Sequence, residues 1–164
     1  RTISLKTPKI IQKGKYLLAI TGDTRPGDIL TYNWKPPVYR HNTDPIQFMG
    51  KQVIPSIIKT FNENGYDWND SSKDKEAGFD YLLAFDGNIF HIASDMSFIQ
   101  SDYNYYGIGS GGQFALGYLY HIDSKELRTQ DEVAELAEKA VSIACLLDIN
   151  TSAPIQIAVQ KKGE

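Results

Sequence analysis

The sequence predicts an α+β fold, in which helices pack on a mainly antiparallel sheet. Three observations lead to this class: strand and helix patterns both occur, the clearest strands form a hairpin, and the elements lack the regular strand–helix alternation of a doubly wound sheet. The length of 164 residues is that of one domain, and we expect a single domain over residues 1–164.

The first predicted strand covers residues 16–21, an apolar run of β-compatible side chains. Gly22-Asp23 and then Pro26-Gly27 are turn-forming pairs that end it. Residues 28–34 can form a short helix, which ends before Pro36 because the residue preceding a proline avoids helical geometry.

A second helix is predicted where apolar residues recur at helical spacing. The stripe indicates burial on one face, and its members are Ile54, Ile57, Ile58 and Phe61. Pro55 either starts this helix or kinks it. The polar stretch 67–76 that follows predicts an exposed loop.

A β-hairpin is predicted over residues 79–93. Alternating side chains mark its first strand, and the turn Asp86-Gly87-Asn88 leads to a second apolar run.

The last third of the chain predicts a short strand at 107–109, followed by a helix that starts at the capping pair of Ser110 and Gln113 and continues to Ile122. A long helix and a final strand come after it. Thr129 and Glu132 form a capping box that starts the long helix, which we expect to end near Asp148. Its predicted apolar stripe comprises Val133, Leu136, Ala137, Ala140, Val141 and Ala144. The final strand rests on the alternation of Ile155, Ile157 and Val159.

Composition excludes several classes of function. The net charge of −3 with scattered signs provides no basic field for nucleic acid or an anionic membrane surface, and no apolar run approaches the length of a membrane span. A single cysteine, Cys145, excludes an internal disulfide framework and fits a reducing compartment, so we expect a cytoplasmic protein.

The glycine-rich segment 107–112 fits the pattern G-x-G-x-x-G between a predicted strand and helix, which proposes nucleotide binding. The acidic residue expected on a second strand is missing further on, where the helix after Thr129 begins instead. Local reasoning therefore favours glycines that let a helix pack close to a strand, with Ser110 at the helix N-terminus.

Other candidate sites are not supported. The stretch from Asp67 lacks the glycine and the glutamate of a calcium loop, and the three histidines have no zinc-binding spacing. Cys145 lies beside an apolar helix stripe, where a small buried hydrophobe is the simpler interpretation.

Several blocks together resemble the proteasome β-subunit family, especially its HslV-like branch. The blocks begin at Lys9, Tyr16, Gly107 and Ala137, and the last of them runs through Asp148-Ile-Asn-Thr151. The resemblance covers about residues 6–159, and its strongest element is the Gly-Ser-Gly-Gly junction before an alanine-containing helix. It implies the four-layer αββα sandwich of the N-terminal nucleophile hydrolases.

The resemblance also implies a mechanism, in which the hydroxyl of an N-terminal threonine attacks the peptide bond and its own α-amino group is the general base. An α-amine suits this role because its ordinary pKa is about 8. Carried over by position, the catalytic residues are Lys9 beside the threonine, Gly22 as oxyanion donor, Ser110 against the terminal amine, and Asp148 with Thr151 as its support. Thr151 stands where the family has a serine, and Ile20 falls in the lining of the first specificity pocket.

The chain departs from this family at its start. Only eight residues precede Lys9, too few for the first β-hairpin that carries the nucleophile, so Thr2 cannot be that residue. We expect either that a segment of roughly 25 residues, the length of a hairpin, belongs upstream, or that this relative has lost its catalytic hairpin. The retained site residues favour the first alternative.

The resemblance implies a threonine-type endopeptidase subunit that assembles into rings with copies of itself and degrades peptides or unfolded proteins. It implies no metal or organic cofactor, and it allows an ATP-driven unfoldase as a partner. The alternative is a catalytically inactive ring-forming subunit, and a remote third is nucleotide binding at residues 107–112.

Overall fold

A computed structural model describes residues 8–69, 78–100, 103, 105–122 and 129–160. Five strands and five helices follow one another in these ranges, with a π-helical turn at Met49–Val53 between the second and third helices. The strands are β1 Ile10–Lys13, β2 Tyr16–Gly22, β3 Phe79–Phe85, β4 Asn88–Ile92 and β5 Phe98–Gln100. The helices are α1 Thr24–Asn33, α2 Pro45–Phe48, α3 Ile54–Glu63, α4 Gly112–Ile122 and α5 Gln130–Leu147.

The five strands form one antiparallel sheet in the order of the chain. Asp86 and Gly87 both have positive φ, of 48° and 75°, as the tight turn between β3 and β4 requires. The predicted hairpin is therefore confirmed, and so is the α+β class.

One face of the sheet packs against α1–α3 and forms the hydrophobic core. Every second residue of β3 is buried, from Phe79 to Phe85, as the alternating pattern predicts. The Phe85 ring lies at the centre of this core, with ring centroids of Tyr16, Tyr39 and Phe48 between 5.0 and 5.7 Å away.

Helix α1 begins at Thr24, earlier than the predicted start at Asp28. The Asp23 side chain accepts the N–H of Arg25, which caps the helix, and Pro26 is tolerated because it lies in the first turn. Pro55 likewise occupies the first turn of α3, one of the two positions predicted for it.

Helices α4 and α5 pack against each other and bury little. The capping box of Thr129 and Glu132 is confirmed, and α5 ends just before Asp148. The predicted apolar stripe is only partly buried, since Ala140 and Ala144 are buried while Val133 is 54% exposed. Exposed apolar side chains on these helices and just after them are Phe114, Tyr120, Val133, Leu146, Leu147 and Ile149.

Two predicted strands are wrong: residues 107–109 and the stretch 155–159 have no strand conformation. A strand requires a partner for its backbone groups, and the five described strands pair only with one another. The last stretch is instead attached through side chains, since Gln156 accepts backbone N–H groups at the start of β1 and Gln160 donates to the Ala84 carbonyl. Within the described ranges, the strands form one five-stranded sheet.

The predicted loop 67–76 lies mostly outside the described residues. Among the helices that the structure describes, none combines the length and the apolar character needed to cross a membrane.

Candidate active site

Gly22 ends β2 in a conformation that favours glycine. Its φ is +87°, and a Cβ at this position would collide with the backbone carbonyl of Gly78 on the neighbouring chain segment. The register pairs Gly22 with Phe79, so β2 and β3 approach closely where α1 is about to start. At the end of β2 the backbone is therefore not covered by a side chain.

The glycine-rich junction 107–112 packs against this strand end. Gly109 has a φ of +78°, and a Cβ on it would lie 2.8 Å from Thr21 Oγ1. Gly107 packs on the first turn of α4, because its Cβ would lie 2.7 Å from the Gly112 carbonyl oxygen. The structure thus shows the close helix packing that local reasoning favoured, and it brings Ser110 beside the Thr21–Gly22 end of β2.

Ser110, Asp148 and Thr151 form one hydrogen-bonded group, although Ser110 lies 38 residues before Asp148 in the sequence. Ser110 Oγ donates to Asp148 Oδ2 over 2.6 Å, and Thr151 Oγ1 donates to the same oxygen over 2.5 Å. Asp148 lies immediately after α5, and the Thr151 N–H closes a turn onto its carbonyl. The junction and the end of α5 therefore meet at one carboxylate.

The two hydroxyl donors stabilise the charged form of Asp148. The hydrogen bond from Ser110, followed by that from Thr151, holds the pKa of this carboxyl below its usual range. Because Ser110 gives its proton to Asp148, its oxygen lone pairs remain able to accept a hydrogen bond from a cation or an amine. Gly111 packs closely against Thr151 and Ala144, and a Cβ on Gly111 would collide with Thr151 Oγ1.

Lys9 lies at the neighbouring edge of the sheet. Its carbonyl accepts the Ile20 N–H over 3.3 Å, and its own N–H donates to Gln156 Oε1 over 2.9 Å. The Lys9 side chain is exposed, and among the described residues no ion pair holds its ammonium. The backbone of Lys9 thus adjoins β2 near Gly22, while its side chain is not joined to the Ser110 group.

Ile20 is half-buried and packs against the core beneath α1. A Cβ on Gly27 would lie 3.0 Å from Ile20 Cδ1, so the first turn of α1 covers this side chain. Thr2 lies outside the described residues.

The histidines form ordinary side-chain pairs in two cases. His91 contacts Asp80 and Tyr106, and His41 contacts Asp86. No group of His, Cys, Asp and Glu in the described part of the chain could hold a metal ion.

Three contributors to this site were not singled out from the sequence: Thr21, Gly78 and Gln156. Thr21 is the last residue of one predicted strand and Gly78 directly precedes another, and the pairing of those strands would have placed both beside Gly22. Gln156 gave no signal, because its two backbone donors, on Lys9 and Ile10, are distant in sequence.

Solved structures with a similar fold include BPH from Thiobacillus denitrificans, which is 23% identical with a TM-score of 0.66 over 90% of this chain and 76% of that chain. Eukaryotic HslV from Trypanosoma brucei is 18% identical, with a TM-score of 0.52 over 88% of this chain and 75% of that chain. Anbu, an ancestral β-subunit from Yersinia bercovieri, is 13% identical, with a TM-score of 0.62 over 90% of this chain and 67% of that chain.

BPH has also been solved in complex with epoxomicin, at 22% identity and a TM-score of 0.60, over 92% of this chain and 78% of that chain. No protein-family model and no curated protein matches the sequence. The structural likeness confirms the predicted resemblance at the level of the fold: the chain has a fold similar to those of BPH, HslV and Anbu.

Proposed function

We propose that this chain is a subunit of a self-compartmentalising threonine-type peptidase that cleaves unfolded polypeptides. The observation that supports this most is the convergence of Ser110 and Thr151 on one oxygen of Asp148, next to the glycine end of β2. Structural packing alone does not require two hydroxyls on a single carboxylate.

In this proposal the nucleophile is an N-terminal threonine on a segment upstream of Lys9. Its oxygen attacks the substrate carbonyl carbon, its α-amine takes the hydroxyl proton, and that proton passes to the departing amine as the acyl-enzyme forms. Water then hydrolyses the ester and frees the threonine. Ser110 accepts a hydrogen bond from the α-amine, which keeps the base oriented, while Asp148 and Thr151 keep Ser110 in place.

Gly22 is the proposed oxyanion donor. Its N–H would stabilise the negative oxygen of the tetrahedral intermediate, and donors of this kind are worth about 3–4 kcal/mol of barrier. Lys9 would place a positive charge beside the threonine oxygen, and Ile20 would line an apolar pocket for the substrate side chain.

The exposed apolar side chains support self-association into rings. Leu146 in the last turn of α5 and Ile149 just after the helix are 84% and 98% exposed, and a group of exposed apolar side chains is typical of a surface that a partner covers. An ATP-driven unfoldase as partner and a cytoplasmic location, suggested by the single free Cys145, belong to the same proposal.

One observation favours the alternative, a catalytically inactive ring subunit. The Lys9 side chain is exposed, and no ion pair in the described part of the chain fixes its ammonium near the site. The upstream threonine segment is the feature that separates the two candidates.

The deciding experiment is hydrolysis of an apolar fluorogenic peptide by the product of the complete coding region. Lys9→Ala should abolish turnover with assembly intact, and Lys15→Ala, an exposed lysine in the β1–β2 turn, serves as the matched control. A complete product that assembles but does not cleave the peptide would select the inactive subunit. Equal turnover in both variants would refute the role of Lys9.

A further inference from the structure

Asp80, His91 and Tyr106 form a hydrogen-bonded chain on the sheet, close to the glycine-rich junction. His91 Nε2 lies 3.0 Å from Asp80 Oδ1, and the Tyr106 hydroxyl lies 3.3 Å from His91 Nδ1. The rings of His91 and Tyr106 also stack, with centroids 5.0 Å apart and planes inclined by 21°. The His91 side chain is 19% exposed, whereas the Asp80 side chain is 43% exposed.

We propose that His91 is a positioning residue, which anchors the junction 107–112 to the sheet through Tyr106 and so determines where Ser110 lies. The Asp80 carboxylate accepts the Nε2–H of His91, and this fixes the tautomer whose Nδ1 accepts the Tyr106 hydroxyl proton. The donor must be a neutral phenol. Burial, with a smaller effect of the Asp80 charge, raises the pKa of Tyr106 and keeps it protonated.

The stacking of the Tyr106 ring on His91 holds the phenol hydroxyl at the imidazole, which is the geometry of an anchor.

The junction needs such an anchor because of its composition. Residues 107–112 include four glycines, which give the backbone more freedom than any other residue type. Tyr106 comes directly before this stretch, and Gly109 within it packs on Thr21. Thr21 pairs with Asp80 across β2 and β3, so one strand pair supports the junction at two points. Ser110 follows the second point immediately.

The catalytic consequence of this anchor rests on the proposed function, whereas the anchor itself does not. We therefore test it by hydrogen–deuterium exchange of the backbone amides of residues 107–112 in the full chain. Tyr106→Phe keeps the ring stack and removes only the hydroxyl. His91→Gln keeps a donor for Asp80 but removes the acceptor for Tyr106, and His91→Asn places an oxygen near the former Nδ1.

We expect exchange in residues 107–112 to become about three- to tenfold faster in Tyr106→Phe and His91→Gln, the effect of one lost hydrogen bond. His91→Asn should remain within about twofold of the parent, because it restores the acceptor. His41→Gln is the matched control: it removes the other His–Asp pair, at 2.9 Å from Asp86, and should leave the junction unchanged.

Unchanged exchange in Tyr106→Phe and His91→Gln would overturn the proposal. Equal acceleration in His91→Asn and His91→Gln would also overturn it, because the Nδ1 bond would not then be the anchor. Faster exchange throughout the chain, including α3, would assign His91 to general packing and reject the positioning role.

In the complete coding product, the proposed function adds a second expectation: Tyr106→Phe lowers kcat for peptide hydrolysis and leaves KM unchanged. If the parent protein proves inactive, the exchange result still decides whether the anchor exists.

Discussion

Gly109→Ala is expected to destabilise the protein through two separable effects. The first is conformational: a residue with a side chain at a φ of +78° costs about 1–2 kcal/mol. The second is steric, because the new Cβ would lie 2.8 Å from Thr21 Oγ1, and overpacking of this kind costs about 1–3 kcal/mol. The free energy of unfolding should therefore fall by about 2–5 kcal/mol.

The chain contains a control for the conformational effect. Gly14 has a φ of +57° and open space around its Cβ position, so Gly14→Ala should lose only about 1–2 kcal/mol. Thr21→Ala tests the steric effect from the other side. It removes the Oγ1 atom, and the double variant Thr21→Ala/Gly109→Ala should recover about 1–2 kcal/mol of coupling energy.

The assay is equilibrium unfolding in urea, followed by circular dichroism for all four variants and the parent. Equal losses of unfolding free energy in Gly109→Ala and Gly14→Ala would show that Gly109 does not pack in close contact with β2. Strict additivity of the Thr21 and Gly109 changes would lead to the same conclusion, and the inferred contact between the two site segments would be withdrawn.

Three further outcomes are expected. The pKa of Asp148 is lower in the folded state than in the unfolded state, so this group stabilises the fold above its unfolded pKa and loses that effect as the pH falls through its folded pKa. Ser110→Ala removes one cause of the lowered pKa, and the free energy of unfolding should therefore depend less on pH in acid unfolding scans. An unchanged pH dependence would refute the hydrogen bond from Ser110 as a cause. Thr129→Ala removes the capping box and should cost about 1 kcal/mol in urea unfolding, whereas no loss would show that the cap is dispensable. Phe85→Ala should lower the free energy of unfolding by about 3–5 kcal/mol, because the Phe85 ring is buried among other aromatic rings. Tyr32 is 73% exposed, so Tyr32→Ala should change the free energy of unfolding by less than about 0.5 kcal/mol. Similar losses in the two variants would contradict the position of the core.

The sequence predicts the elements whose signals are local. Three such signals each determine the conformation of a few adjacent residues, and all three are confirmed: the alternation from Phe79 to Phe85, the glycine turn after it and the capping box at Thr129. The start of α1 was missed because Pro26 and Gly27 are typical of turns, although the Asp23 cap makes them the first turn of a helix.

The predicted strand at 155–159 was wrong for a different reason. Its alternation describes a side-chain pattern, but a strand also depends on a pairing partner that the pattern cannot specify. The contacts around Ser110 were likewise beyond local reasoning, because Asp148 lies 38 residues away and Gly22 lies on another element. Only the family resemblance grouped these residues, and their catalytic roles stay predictions.

The uneven distribution of the core has a consequence for how the site behaves. Apart from Ala140 and Ala144, the buried hydrophobic residues among those described all fall between Tyr16 and Met96. Gly22 belongs to this well-packed half, whereas Ser110, Asp148 and Thr151 belong to the thinly packed half. Local opening should start where few apolar contacts resist it. The contact between Gly109 and Thr21 should therefore open before the sheet unfolds.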